Sequence, residues 1–213
     1  MKCSTMKVKI TGTSPLLGSI SLDKEVATNF IANKTKTDEE KARALEDMKD
    51  LPEDEVLEKE TTGFYRDANM CPILKDYQIK GFFKGAAKAL KDQLKIAAYA
   101  SKIDNYVFIK GDKGRNITLT REGDQITGVD DILERPLRCE TMQGPRVALA
   151  RSEMISEGWE AEFSITVVEN AGTAKSTAIT LDTIRELLSY GELKGLLQWR
   201  NAGYGSFTYE EVK

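Results

Sequence analysis

A chain of 213 residues, 40% hydrophobic, fits one large domain or a domain with insertions, and no apolar run nears the roughly 18 residues of a membrane span, so no membrane partner is expected. Cys3, Cys71 and Cys139 form no CxxC pair and there is no histidine, which argues against a zinc site, a disulfide framework, imidazole acid–base work and any nucleophile–histidine pair. The expectation is a non-catalytic protein of a reducing, cytoplasmic compartment, with no metal and no cofactor, whose net charge of −3 conceals a segregation: residues 34–60 carry six basic and eleven acidic side chains, while residues 75–121 carry eleven Lys/Arg against four Asp.

Met6, Val8 and Ile10 alternate with Lys7, Lys9 and Thr11, the period of a half-buried strand, and Pro15 and Gly18 stop it. Residues 22–33 suit a short helix. Residues 37–50 suit a polar helix opened by Thr37, with Glu40 three residues on, projecting from the body before Pro52 and an acidic run. The clearest helical pattern spans 81–98, where Phe83, Ala86, Ala87, Leu90, Leu94 and Ala97 share one side. Lys84, Lys88, Lys91 and Lys95 form a row beside that stripe, within an arc of roughly 60°. Such a row suits a phosphate backbone, or simply a solvated face.

A strand over 105–110 leads to a basic turn at 111–116 with Lys113 and Arg115, and a hairpin follows around Glu122-Gly123-Asp124. Arg135, Arg138, Arg146 and Arg151 punctuate further strands joined at Gln143-Gly144-Pro145. Trp159, Ala161, Phe163, Ile165 and Val167 alternate with polar residues as a strand buried on one face. Ala171 to Thr177 has a Lys-Ser-Thr run but lacks both glycines of a phosphate-binding loop, since Glu169 and Ala174 stand in their places. A helix over 180–190 follows, with Thr180 as its cap. The last strand, roughly 204–212, follows the loop Gly195-Leu-Leu-Gln-Trp199-Arg200-Asn201-Ala-Gly203-Tyr204-Gly205. Closely spaced glycines let backbone approach a ligand, and Arg, Asn and Tyr beside them suit a phosphate or a stacked base.

The element order β-α-β-β-α-β is the ferredoxin-like (RRM-like) plan, an α+β fold with an antiparallel sheet. Three segments resemble the RAMP superfamily: Lys7-Val-Lys-Ile-Thr-Gly-Thr-Ser-Pro15-Leu-Leu-Gly18 its first strand and turn, Tyr77-Gln-Ile79-Lys-Gly81-Phe-Phe-Lys84-Gly85-Ala-Ala-Lys88-Ala-Leu its first-helix element, and Gly195 to Phe207 its glycine-rich loop. Phe82-Phe83 stand where that family has small residues, and the overall acidity is atypical of it. Within the superfamily the chain is similar to guide-RNA-binding backbone subunits of CRISPR effector complexes. The resemblance implies one RAMP-like domain over 1–213, an acidic helical insertion at 34–60, a thumb-like hairpin insertion at 111–157, and a free-standing, virus-encoded relative in preference to a standard subunit. It also implies binding of single-stranded RNA or DNA and self-association along the strand.

The residues expected at such an interface are Lys84, Lys88, Lys91, Lys113, Arg115, Arg138, Arg146, Trp199, Arg200, Asn201, Gly203 and Tyr204. Two readings compete. One is a protein-interaction module that mimics or caps a CRISPR backbone subunit, its acidic segment imitating nucleic acid. The other is a metal-dependent ribonuclease centred on Asp67, although a lone Asp is more often a turn residue.

Overall fold

The computed structural model describes residues 2–22, 61–142, 144–169 and 178–212. The expected helices at 22–33 and 37–50, the acidic segment 34–60 and the Ala171–Thr177 run lie outside these residues. In chain order the strands are β1 (Cys3–Gly12), β2 (Leu16–Leu17), β3 (Ile20–Ser21), β4 (Thr61–Gly63), β5 (Tyr65–Arg66), β6 (Pro72–Lys75), β7 (Val107–Gly111), β8 (Asn116–Arg121), β9 (Asp124–Gln125), β10 (Asp131–Thr141), β11 (Gly144–Ile155), β12 (Glu160–Val168) and β13 (Phe207–Val212). The helices are α1 (Asp76–Leu90), α2 (Tyr99–Tyr106) and α3 (Leu181–Ser189). The fold is mixed α+β with mostly antiparallel sheets. The chain divides into two compact units, one of residues 1–16, 73–125 and 156–213, the other of 17–72 and 126–155.

In the first unit β13, β1, β12 and β7 lie side by side in that order, each antiparallel to its neighbour. Both β1 and β12 alternate as their sequences require. Val8 and Ile10 face Phe163 and Ala161 across the ladder on the buried side. α1 lies between β1 and β7 in the chain, α3 between β12 and β13. α1 packs Ile79, Phe82, Phe83, Ala86 and Ala87 inward, and α3 packs Ile184, Leu187 and Leu188. Phe82 meets Phe207 of β13 edge to face at 5.1 Å. Thr180 caps α3, its hydroxyl accepting the Thr183 N–H. Arg185 then ties the helix to β13 through Glu211 at 2.6 Å, which holds that carboxyl below its usual range.

α1 ends earlier than its apolar pattern suggests. It stops at Leu90, and the chain passes through a left-handed Lys95 (φ 53°) into α2, whose weak pattern gave no sequence signal. Ile96 explains the break. On a continued helix it would point about 120° away from the Leu90–Leu94 stripe, yet it is buried, as is Ile103. Turning the chain buries both.

In the second unit β10 and β11 form a long hairpin, registered from Asp131 opposite Met154 to Thr141 opposite Gly144. β11 continues into a parallel pairing with β4 at Arg151–Thr61, and β3 joins β4 antiparallel. A buried ion pair anchors this unit. Arg66 Nη2 donates to Glu153 Oε1, and Glu153 Oε2 accepts the Phe64 N–H at 2.9 Å. Glu153 is 2% exposed and Arg66 8%.

Glu153→Gln leaves the Arg66 charge buried without its counter-ion. It is expected to destabilise the protein by about 3 kcal/mol, measured by denaturant unfolding, because removing one partner of a buried pair costs several times an exposed one.

Candidate nucleic-acid interface

The terminal loop is knitted to the first turn by backbone. The Leu196 N–H donates to the Gly205 carbonyl (2.8 Å), the Gly205 N–H to the Pro15 carbonyl (2.8 Å) and the Thr13 N–H to the Ser206 carbonyl (2.8 Å). The Ser14 hydroxyl accepts the Ser206 N–H at 2.8 Å, and the indole N–H of buried Trp159 donates to the Ser14 carbonyl at 2.9 Å. Glycine permits the closest of these approaches. A Cβ on Gly195 would lie 1.9 Å from the Gly205 carbonyl carbon, and Gly205 adopts φ +72°.

Beyond that knot the loop projects outward. Leu197 and Trp199 both take left-handed φ values, +58° and +54°, each costing on the order of 1 kcal/mol. The strain places the Trp199 ring in a parallel stack on Tyr204, centroids 5.1 Å apart and planes 13° off parallel. Trp199 is 40% exposed. Arg200 to Ala202 form a single 3-10 turn closed by Gly203 (φ +87°), with Asn201 exposed on it.

Arg200 lies over α1. Its Nη1 is 3.4 Å from where a Cβ on Gly85 would sit. Gly81, one turn earlier, has nothing within 4 Å of that position. On the wheel Lys84, Lys88, Gly81 and Gly85 fall within an arc of about 100° on the outer face. Phe82 and Phe83 point the opposite way, into the core, and so do not obstruct this face. Gly81 and Gly85 were legible in the sequence as an i, i+4 glycine pair.

The structure separates the twelve expected residues. Lys88, Lys91, Arg200, Asn201, Gly203, Tyr204 and Trp199 belong to the outer face of α1, its C-terminal end and the terminal loop. Lys84 is on α1 but leans the other way, paired with Asp104 of α2 at 2.6 Å. Lys113 and Arg115 are at the opposite end of the helix. The Asp76 N–H donates to the Arg115 carbonyl, and the Arg115 guanidinium is 3.5 Å from the Asp76 carboxylate. That end is about 18 Å along the axis from Lys88. Arg138 and Arg146 are strand residues of the hairpin in the other unit, and the Arg146 side chain is outside the described set. Lys95 leaves the lysine row because the helix has already ended.

The open face of the first unit's sheet differs in kind. Thr5 and Thr166 join hydroxyls at 2.9 Å, while Lys7–Glu162 and Lys9–Glu160 form cross-strand pairs at 2.7 Å. The Glu160 hydrogen bond, aided by Glu210 and Glu162, raises the Lys9 ammonium above its ordinary value. Phe108, at the β7 edge, is exposed beside these residues, and Lys80 sits over its ring at 5.3 Å.

Asp67 is a turn residue. Its Oδ1 accepts the Asn69 N–H (2.9 Å) and the Cys71 N–H (3.0 Å). Among the described residues no group of three or more Cys, Asp or Glu side chains is placed to hold a metal ion, and no helix is long and apolar enough to cross a membrane.

Two glycine substitutions separate the loop knot from the open helix face. Gly195→Ala is expected to lower the melting temperature and to diminish the near-ultraviolet circular dichroism of the Trp199–Tyr204 stack, since its methyl meets backbone. Gly81→Ala, with no atom in its way, is expected to raise stability by about 0.5–1 kcal/mol, read by denaturant unfolding.

No family model and no curated protein matches this chain, so the arrangement of its residues carries the functional reading.

Proposed function

We propose that this protein binds single-stranded RNA or DNA without catalysing a reaction, and that the outer face of α1 and the terminal loop form the binding surface. The observation that carries the reading is the approach of the Arg200 guanidinium to Gly85, beside Lys88 and the Trp199–Tyr204 stack. A nucleic-acid strand needs cations for its phosphates and flat surfaces for its bases, and single strands expose both. Lys88, Lys91 and Arg200 have no ion-pair partner among the described residues. The exposed indole offers a ring on which a base stacks, and Gly81 leaves room for a backbone to come close.

The sheet face supports the same choice of surface by contrast. Sheets that read RNA carry several aromatic side chains on which bases stack, whereas the described face here carries threonines and Lys–Glu pairs, with Phe108 at its edge under Lys80. The order β13-β1-β12-β7 with its two helical crossovers is the basis for reading the core as ferredoxin-like and, with the glycine loop beside the first helix, as RAMP-type. Self-association along a strand belongs to the same proposal. The hairpin exposes Val147 and Leu149 on one face, apolar surface that a neighbouring copy on the strand would cover.

Intrinsic fluorescence tests the reading directly, because Trp159 is buried and Trp199 exposed. Titration with single-stranded oligonucleotides at low salt is expected to quench Trp199 emission. Arg200→Ala is expected to weaken binding about five-fold without lowering the melting temperature. With three phosphates neutralised, log affinity falls against log salt with a slope of about −2. Light scattering on longer strands is expected to show a mass that grows with strand length. No quenching and no mobility shift with any single strand would end the proposal.

A further inference from the structure

We infer that Asp104 is an internal competitor for the strand's phosphates, holding Lys84 away from the binding face; this rests on the binding reading above. Lys84 Nζ is 2.6 Å from Asp104 Oδ1, with both side chains partly open to water. The neighbouring Lys80 is held on the same side, donating to the Asp104 carbonyl at 3.0 Å and lying over Phe108. So α2 draws two successive cations of α1 toward itself. Lys88, one turn beyond Lys84, is left with no ion-pair partner among the described residues.

The balance is close enough to be tipped. An exposed ion pair contributes little to stability, while a phosphate offers the ammonium a comparable charge-assisted hydrogen bond. Lys84 and Lys88 are i, i+4 neighbours on the helix surface, so a backbone running along the outer face past Lys88 comes within reach of Lys84. In the wild type, releasing Lys84 from Asp104 offsets most of what its phosphate contact contributes. Removing the carboxylate removes that competition. It also removes a negative charge from beside the strand, and the two effects are separable.

The test is a double-mutant cycle on the full chain with a single-stranded oligonucleotide as probe. Asp104→Asn is nearly isosteric at a half-exposed position, and a melting curve checks that the fold is kept. It is expected to tighten binding about three-fold at low salt and to steepen the log–log salt slope by about 0.7, one more phosphate contact. In a Lys84→Gln background the same change is expected to tighten binding less than 1.5-fold. Asp104→Ser repeats the measurement with a second side chain. Equal gains in both backgrounds would make Asp104 a diffuse charge and overturn the inference, as would no gain in either. Wild-type protein that binds no single strand overturns the binding reading itself, an outcome distinct from both.

Discussion

The backbone contact between Gly195 and Gly205 is the constraint on which the candidate surface depends. Two chain segments pass there with no room for a side chain; N–H to C=O bonds join the loop to Thr13 and Pro15 at the end of β1, and the Ser206 N–H donates to the Ser14 hydroxyl. Since β1 is central in the sheet and β13 lies beside it, the knot fixes where the loop leaves the body. Phe207 then seats β13 against Phe82 of α1, above Gly191, where a Cβ would lie 2.3 Å from its ring. The outer residues Trp199 and Arg200 are aimed by what the inner residues prevent. A loop held at both ends tolerates two left-handed non-glycine residues, because the energy that orders it comes from backbone pairing and core contacts.

The two faces of the first unit handle charge in opposite ways. On the open sheet face every cation of β1 lies beside a carboxylate of β12, and the ladder neutralises itself. On α1 the charges are graded. Lys80 and Lys84 are held by α2, whereas Lys88 and Lys91 have no ion-pair partner among the described residues. An anionic polymer gains nothing from displacing a well-formed cross-strand pair unless it supplies equal contacts, so Lys7 and Lys9 present little electrostatic attraction. The helix end and the terminal loop present it without prior cost.

Much of the fold was legible where one physical signal dominated. Strict alternation marked β12 to within a residue and β1 from Met6, three residues inside its start, and Thr180 marked the start of α3 through the hydrogen bond its hydroxyl makes. The turn at Glu122-Gly123 falls where expected, with both residues at positive φ. Periodicity failed where burial is decided by a residue off the stripe. Ile96 breaks α1 against a pattern that continues to Ala97, and α2 offers only Ile103 as a buried side chain. The candidate surface was legible in its residue types but not in its grouping. Arg115 and Lys88 share one basic stretch of sequence yet occupy opposite ends of a helix, and Arg138 and Arg146 belong to another unit. Charge counted along the chain contains no information on which side chains meet.

The same point bears on the sign of the whole protein. A net charge of −3 would oppose an anionic partner if the charge were spread evenly. At physiological ionic strength the field of an exposed charge decays within about 8 Å, so a phosphate senses the few groups around it and little of the total. Beside Arg200 lie the Gly85 face of α1 and Lys88 on the next helix turn, while Glu160, Glu162 and Glu211 of the first unit are engaged with lysines or arginine. Asp92 follows Lys91 at the end of α1, and Asp104 of α2 is bound to Lys84. An acidic chain therefore keeps a locally basic surface where its nearby acids are paired with cations.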